Sequence, residues 1–135
     1  KDLNDLDPGF PFIQMETSTA WAKDTNANYQ WMHDLWFWLN KEYWYRFDDI
    51  HDSWNKFYNK LSHIPNNIIE GDLNSPPQNI DTSYVQEGLE DDLQNIIAGY
   101  RNYYRHWCKD NDADWSTPDG ATRSPPSWII DNANV

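Results

Sequence analysis

The sequence predicts an all-α protein in which two long antiparallel helices, at about residues 27–62 and 83–108, form the centre. Apolar residues recur three and four positions apart through both segments, which is the spacing of one helix face. More than half of the aromatic residues lie within the first segment, between Tyr29 and Tyr58. No alternation of apolar and polar residues competes with this pattern, so we expect no β-sheet.

The first predicted helix carries a long apolar stripe: Met32, Leu35, Trp36, Leu39, Tyr43, Phe47, Ile50, Trp54, Phe57, Leu61 and Ile64. Asp34 near its start and Lys56 and Lys60 near its end suit the helix dipole, and Pro65 stops the helix. From Leu35 to Phe47 the segment is apolar nearly all round, which is typical of a helix covered on several sides. We therefore expect the terminal segments or another protein to cover it.

The second predicted helix begins with Ser83 and Gln86 as a capping box, and Asp81 is an alternative cap. Its stripe comprises Val85, Leu89, Leu93, Ile96, Ile97, Tyr100, Tyr104 and Trp107. Acidic residues occupy its early turns and basic residues its late ones, which favours the dipole. Gly99 predicts a close approach by another backbone or ring, for which the Trp residues of the first helix are candidates.

The rest of the chain is expected to cover these helices within a single domain. Residues 1–26 form an arm with a short helix around Trp21, and Asp24-Thr25-Asn26 reads as a break and a fresh cap. Residues 63–82 form a loop. Residues 109–135 form an irregular tail whose Trp115 and Trp128 dock back on the helices. A dimer that completes a four-helix arrangement is compatible with this plan.

The charge of the chain limits its partners. The formal net charge is −12, and most of it lies outside the two predicted helices. A basic footprint for nucleic acid is absent from this composition, and attraction to anionic membranes is not expected. The most apolar window contains Asp34, Lys41, Glu42 and Arg46, so it predicts no membrane span.

The chain ends and its cysteine suggest an extracellular setting. The sequence starts at Lys1 rather than Met, as a processed chain or a fragment would, and processing suits secretion. Cys108 is the single cysteine, so no internal disulfide forms. Its thiol either packs on an apolar face or bridges to another chain.

Two groups of residues are candidates for metal binding. Asp110, Asp112 and Asp114 resemble the opening of an EF-hand loop and predict a structural Ca²⁺. The run departs from that loop because Trp115 stands at position six and Ala121 at position twelve. Its alternative is a solvated acidic turn. Asp48 and His51 have a ligand-like spacing but lack the further carboxylates of a di-iron site, and they equally suit surface polar positions.

Catalysis is not expected. The pairs His33–Asp34, His51–Asp52 and His106–Cys108 could each be drawn as dyads. Adjacent helical residues point about 100° apart, and residues two apart such as His106 and Cys108 also diverge. The sequence has no glycine-rich phosphate loop and no nucleophile elbow. We therefore predict a protein that is not an enzyme and has no cofactor apart from the Ca²⁺.

The aromatic residues of the first helix are the main candidates for function. We predict a partner-binding patch on Trp31, Trp38, Trp44 and Tyr45, because Trp and Tyr dominate binding hot spots. Their alternative role is plain core packing. The protein would be a secreted or surface-exposed binding module, such as a toxin or effector subunit, an antigen or a virus-encoded component, with a protein partner or a second copy. Alternatives are a carrier of lipid or flat aromatic molecules and an acidic inhibitor that mimics nucleic acid.

Overall fold

The computed structural model describes residues 12–117 and 124–130, with side chains from residue 17 onward. Five α-helices account for most of this range: α1 Phe12–Asp24, α2 Asn26–Phe47, α3 Asp52–Leu61, α4 Asp92–Asp110 and α5 Ser127–Ile130. A single 3₁₀ turn, Thr82–Tyr84, lies between α3 and α4. No β-strand occurs in these ranges, so the all-α class and the presence of two long helices are confirmed. Residues 1–11 of the predicted arm lie outside the described residues.

The predicted helix at 27–62 is wrong in one respect, because it is two helices. Asp48 has a left-handed backbone with φ of 49° and ends α2. His51 then caps α3 by accepting a hydrogen bond from the Ser53 backbone N–H. Aspartates tolerate the left-handed region better than most residues, so the Asp48-Asp49 pair was the local signal for this break. The end of α3 at Leu61 agrees with the prediction.

The second long helix starts later than the predicted residue 83. Asp91 caps α4 by accepting from the Gln94 backbone N–H, and Asp81 caps only the 3₁₀ turn. Between them Gly88 has φ of +86°, a conformation that interrupts a right-handed helix. The predicted capping box of Ser83 and Gln86 is therefore wrong, because the helical turn at this position is a 3₁₀ turn of three residues and does not continue into α4.

The prediction for Gly99 was half right. This glycine is buried, and an added Cβ would lie 3.2 Å from Ile80 Cδ1 and 3.4 Å from the Tyr84 carbonyl oxygen. The element that approaches α4 is thus the loop before it, rather than a Trp of the first helix. The Tyr100 hydroxyl extends this contact by donating to the Pro77 carbonyl and accepting from the Asn79 N–H.

α2 and α3 form an antiparallel hairpin held by side chains. The Trp36 indole N–H donates to Ser53 Oγ, and the Tyr29 hydroxyl donates to the Leu61 carbonyl. The centroids of the Trp36 and Trp54 rings are 4.5 Å apart. Early residues of α2 therefore lie beside late residues of α3, as an antiparallel αα-hairpin requires.

A buried polar junction joins α1, α2 and the loop after α3. Asn28 is fully buried, its Nδ2 donates to the Trp21 carbonyl and to Asn74 Oδ1, and its Oδ1 accepts from the Asn74 N–H. Thr25 caps α2 and also donates through Oγ1 to the Asp72 carbonyl. The predicted break at Asp24-Thr25-Asn26 is confirmed. The predicted short helix around Trp21 exists, and it begins at Phe12.

Few large apolar side chains are buried in the part of the chain that the structure describes. Within the described residues, Trp21 and Ile96 are the large apolar side chains that are buried, whereas many large apolar side chains on α2, α3 and α4 are exposed. The two long helices are not in close backbone contact along their length. An aromatic-rich chain thus leaves much of its apolar surface in contact with solvent.

Candidate binding site

The four predicted patch residues divide into two groups. Trp31 is half-buried, and its ring meets the ring of buried Trp21 edge-on at a centroid distance of 5.5 Å. Trp38, Trp44 and Tyr45 are exposed by 66%, 55% and 49%. We call these three exposed residues the aromatic surface; Trp38 and Tyr45 lie on the same side of α2, and Trp44 points about 120° away from Trp38 around the helix. Trp31 is not part of the aromatic surface, because the Trp21 ring covers part of the Trp31 ring.

Trp38 is the most exposed member of the aromatic surface. Its ring contacts the neighbouring Phe37 ring at 5.4 Å, and Phe37 in turn packs on Trp54 of α3. The α2–α3 hairpin therefore supports Trp38 from one side and leaves most of the indole open. Such a ring loses little conformational freedom when it docks, since its neighbours already restrict it.

A large apolar cleft of about 790 Å³ lies between α2 and α4, and we call it the apolar cleft. α2 lines it with Trp31, Met32, Leu35 and Leu39, and α4 lines it with Leu93, Ile96, Ile97, Tyr100, Tyr104 and Trp107. Trp115 and Trp128 of the tail also line it, which confirms that both dock back on the helices. This volume falls within the range of about 300–1,000 Å³ that is typical of small-molecule sites.

The segment after α4 is held to α2 by Arg46. The Arg46 side chain pairs with Glu42 at 2.8 Å, lies over the Trp115 ring at 5.1 Å from its centroid, and donates from Nη1 to the Trp115 carbonyl. Stacking on an aromatic face suits a planar guanidinium. Arg46 therefore holds one wall of the apolar cleft in place.

A second, polar cavity of about 540 Å³ adjoins α4, and we call it the arginine recess. Its polar lining consists of Gln86, Gln94, Arg101, Asn102 and Arg105. Ile97 and Arg101 line both the recess and the apolar cleft. The guanidinium of Arg101 lies 5.7 Å from the Trp128 ring centroid, and the Arg105 Nε–H donates to the Trp128 carbonyl.

Burial raises the pKa of the Tyr104 hydroxyl at the apolar cleft, and the charges of Tyr103 and Tyr100 raise it further. The phenol is therefore protonated at neutral pH and available as a hydrogen-bond donor. Cys108 is a half-buried free thiol that lines the same cleft. This position suits the predicted packing on an apolar face, and the bridge to another chain stays a prediction.

The Asp110, Asp112 and Asp114 run does not converge. In the described part of the chain, no three His, Cys, Asp or Glu side chains form a group that could hold a metal ion. Asp112 has a left-handed backbone with φ of 48°, and Asp114 accepts from the Ser116 backbone N–H. These hydrogen bonds from Ser116, aided by the charge of Arg46, lower the pKa of Asp114. The structure gives the predicted Ca²⁺ no support.

His33 lies closer to its neighbour than its position on the helix predicts. Its Nδ1 is 3.9 Å from Asp34 Oδ1, and its Nε2 is 3.4 Å from Ser62 Oγ. The order of these groups is that of an Asp-His-Ser triad. The first distance exceeds a hydrogen bond, however, and Asp34 Oδ1 already accepts from Gln30 Nε2 at 2.8 Å. This arrangement does not hold the imidazole as a triad does.

The arginine recess was not predicted from the sequence, and an apolar pocket was expected only for the alternative of a small-molecule carrier. Arg101 and Arg105 are one helical turn apart, which was visible, but they were assigned to the helix dipole alone. The loop and the tail keep the two long helices apart. No local sequence pattern predicts this separation.

Comparison of the chain with known protein families, with curated proteins and with solved structures finds no match. No described helix is long and apolar enough to cross a membrane. The function must therefore be argued from the geometry of the site.

Proposed function

We propose that this protein is a non-enzymatic binding module that docks a protein partner through the aromatic surface. The observation that carries the proposal is the exposure of two tryptophans on one helix, 66% for Trp38 and 55% for Trp44. Exposed apolar patches on soluble proteins mark interaction sites, and Trp is enriched among the residues that dominate binding energy.

Trp38 and Trp44 contribute little burial within the chain. Burying a large apolar side chain contributes roughly 1.5–3 kcal/mol, and a ring that stays mostly exposed gains only part of this. A partner that covers Trp38 and Trp44 would recover the remainder on binding. Both rings project from a regular helix, so docking them requires little reordering of the backbone.

The first step of the test separates surface from core. The double variant Trp38→Ala/Trp44→Ala should keep the far-UV circular dichroism of the wild type, because both rings are exposed. Loss of helicity in this variant would show that the rings belong to the core and would contradict the proposal.

The second step asks whether the aromatic surface binds. Sedimentation velocity of the wild type detects a second copy as partner, and affinity capture with mass spectrometry detects a foreign protein. A matched control is Ile69→Ala, which removes a side chain that is 67% exposed on the loop after α3. We expect the double variant to lose the partner and the control to keep it. Equal capture by all three proteins would contradict the proposal.

A second candidate function is a carrier of a small apolar molecule. The observation that favours it is the apolar cleft, whose volume of about 790 Å³ suits one ligand. Gentle purification followed by native mass spectrometry should then reveal a bound molecule that denaturation releases. A clean mass for the chain alone, before and after incubation with lipid extract, would exclude this candidate.

A further inference from the structure

The apolar cleft and the arginine recess adjoin each other on α4. Ile97 and Arg101 line both cavities, so Arg101 stands where the apolar lining gives way to a polar one. A ligand that extends past this point has its apolar part among aliphatic and aromatic side chains. Its other end lies among amides and guanidinium groups.

The positive charges where the apolar cleft meets the arginine recess are unusual for so acidic a chain. The net charge is −12, yet Arg101 and Arg105 are not within ion-pair distance of any carboxylate among the described residues. Arg46 shows the contrast, because it pairs with Glu42 at 2.8 Å. A guanidinium has five N–H donors, and the contacts with Trp128 use only one of those on Arg105.

The volume of the apolar cleft fits a small molecule better than a segment of a protein. A helix is about 10 Å across, so roughly two turns of a peptide helix would fill it, which leaves little interface for a protein. A single hydrocarbon chain fits this space and buries the exposed cleft residues Leu39 and Trp107 along its length. Arg101 and Arg105 beside the cleft would form charge-assisted hydrogen bonds with an anionic end group on such a chain.

We propose that the apolar cleft and the arginine recess together bind a fatty acid, whose hydrocarbon chain lies in the cleft and whose carboxylate pairs with Arg101 and Arg105. This inference rests on the second candidate function, a carrier of apolar molecules. A carboxylate matches the planar fork of a guanidinium, which is why arginine suits this role better than lysine.

The test compares laurate with lauryl alcohol, which has the same chain without the charge. Binding is followed by tryptophan fluorescence and by calorimetry, with wild-type protein and with Arg101→Gln/Arg105→Gln. The single variant Arg101→Gln guards against a folding defect, because the described contact of Arg101 is with one ring only. Circular dichroism of each variant confirms that the helices persist.

We expect the wild type to bind laurate about tenfold more tightly than lauryl alcohol, as a charge-assisted hydrogen bond provides. The double variant should lose this preference and keep its affinity for the alcohol. Equal affinity of the wild type for both molecules would overturn the carboxylate site and leave the carrier function standing. Failure of the wild type to bind either molecule would overturn both.

Two further measurements place the chain of the ligand. Cys108 lines the cleft, so bound laurate should slow its reaction with a thiol reagent. Leu39→Asp puts a charge into the cleft at a side chain that is 61% exposed, so it should weaken both ligands without unfolding the protein. Laurate binding that leaves Cys108 reactivity and the Leu39→Asp variant unaffected would contradict this placement.

Discussion

The polar junction at the start of α2 and the apolar cleft between α2 and α4 are opposites in how they are built. At the junction the side chain of Asn28 is fully buried and satisfied by three hydrogen bonds. At the cleft, Leu35, Leu39 and Trp107 are apolar and exposed. Buried polar groups with all partners in place specify one structure, whereas exposed apolar ones invite a partner.

The two regions differ in how they are attached to the rest of the fold. The loop after α3 is anchored by side chains of α1 and α2, which supply Trp21, Asp24, Asn26 and Asn28 to its backbone and amide groups. α4 is attached through the neighbouring loop and the tail instead. Changes at the junction should therefore affect folding most, and changes at the cleft should affect binding most.

The largest effect is expected from Asn28→Ala. It removes a buried amide and leaves Asn74 Oδ1, the Asn74 N–H and the Trp21 carbonyl without their partner. Each unsatisfied buried group costs about 1–3 kcal/mol, so we expect the free energy of unfolding to fall by about 3 kcal/mol. Urea denaturation followed by circular dichroism measures this change.

The matched control is Asn55→Ala on α3, where the asparagine is exposed. Its change in unfolding free energy should stay within about 0.5 kcal/mol. Similar losses in the two variants would mean that the junction is no more important than the surface.

The next effect in size is expected at Gly71, which packs against the cap of α2. A Cβ at this position would lie 2.9 Å from Thr25 Cγ2, so Gly71→Ala forces the loop away from the buried Thr25 side chain. Overpacking of this kind costs about 1–3 kcal/mol. The double variant Thr25→Ser/Gly71→Ala keeps the hydroxyl cap and removes the methyl group, so it should recover part of the loss. If the double variant recovers none of the lost stability, the cost of Gly71→Ala does not come from the contact with the Thr25 methyl group.

A small effect on stability is expected from Leu39→Ala in the cleft. Leu39 is 61% exposed, and its truncation should change the unfolding free energy by less than about 0.5 kcal/mol. Ile96→Ala on the facing helix is the control, because Ile96 is 8% exposed and should cost about 2–4 kcal/mol. If Leu39→Ala destabilises as much as Ile96→Ala, the cleft is closed in solution.

The mildest effect is expected from acid. Hydrogen bonds from the Ser83 side chain and backbone lower the pKa of Asp81, and those from Ser116 lower the pKa of Asp114. A lowered folded pKa means stabilisation that is complete well above the ordinary aspartate pKa of about 3.9 and is lost as the pH falls through the folded value. Both groups are fully exposed, so the loss should be slight.

Urea denaturation at a series of pH values checks this expectation in the wild type and in Asp81→Asn. The variant removes one titrating group, so its stability should fall less steeply on acidification. A steeper fall in the variant than in the wild type would contradict the assigned sign.

The sequence predicted the class of fold and the residues that end or cap several helices, because these depend on neighbours along the chain. The break at Asp24-Thr25-Asn26 is one example, and the helix end predicted at about residue 62, one residue from the observed end of α3, is another. The break at Asp48 and the late start at Asp92 were missed, since an apolar stripe continues across both interruptions. Hydrophobic spacing alone does not reveal a left-handed residue such as Asp48 or Gly88.

Partner binding by the four predicted residues stays a prediction, but the structure shows how they differ. Trp38, Trp44 and Tyr45 are exposed, whereas Trp31 is half-buried against the Trp21 ring. The partner of Asn28 is Asn74, which is distant in sequence and lies in a loop without a recognisable motif. Such long-range pairing of polar side chains leaves no periodic signal.

The hydrogen-bonded junction should hold the fold while the apolar face of α2 and α4 stays open, and amide hydrogen exchange measures how firmly the junction is closed. The Gly71 and Asn74 amides donate to Asn26 Oδ1 and Asn28 Oδ1, although both amides lie in a loop. We predict that they exchange as slowly as amides in the middle of α2. Exchange at the rate of an ordinary exposed loop would show that the junction opens freely, and would contradict this expectation.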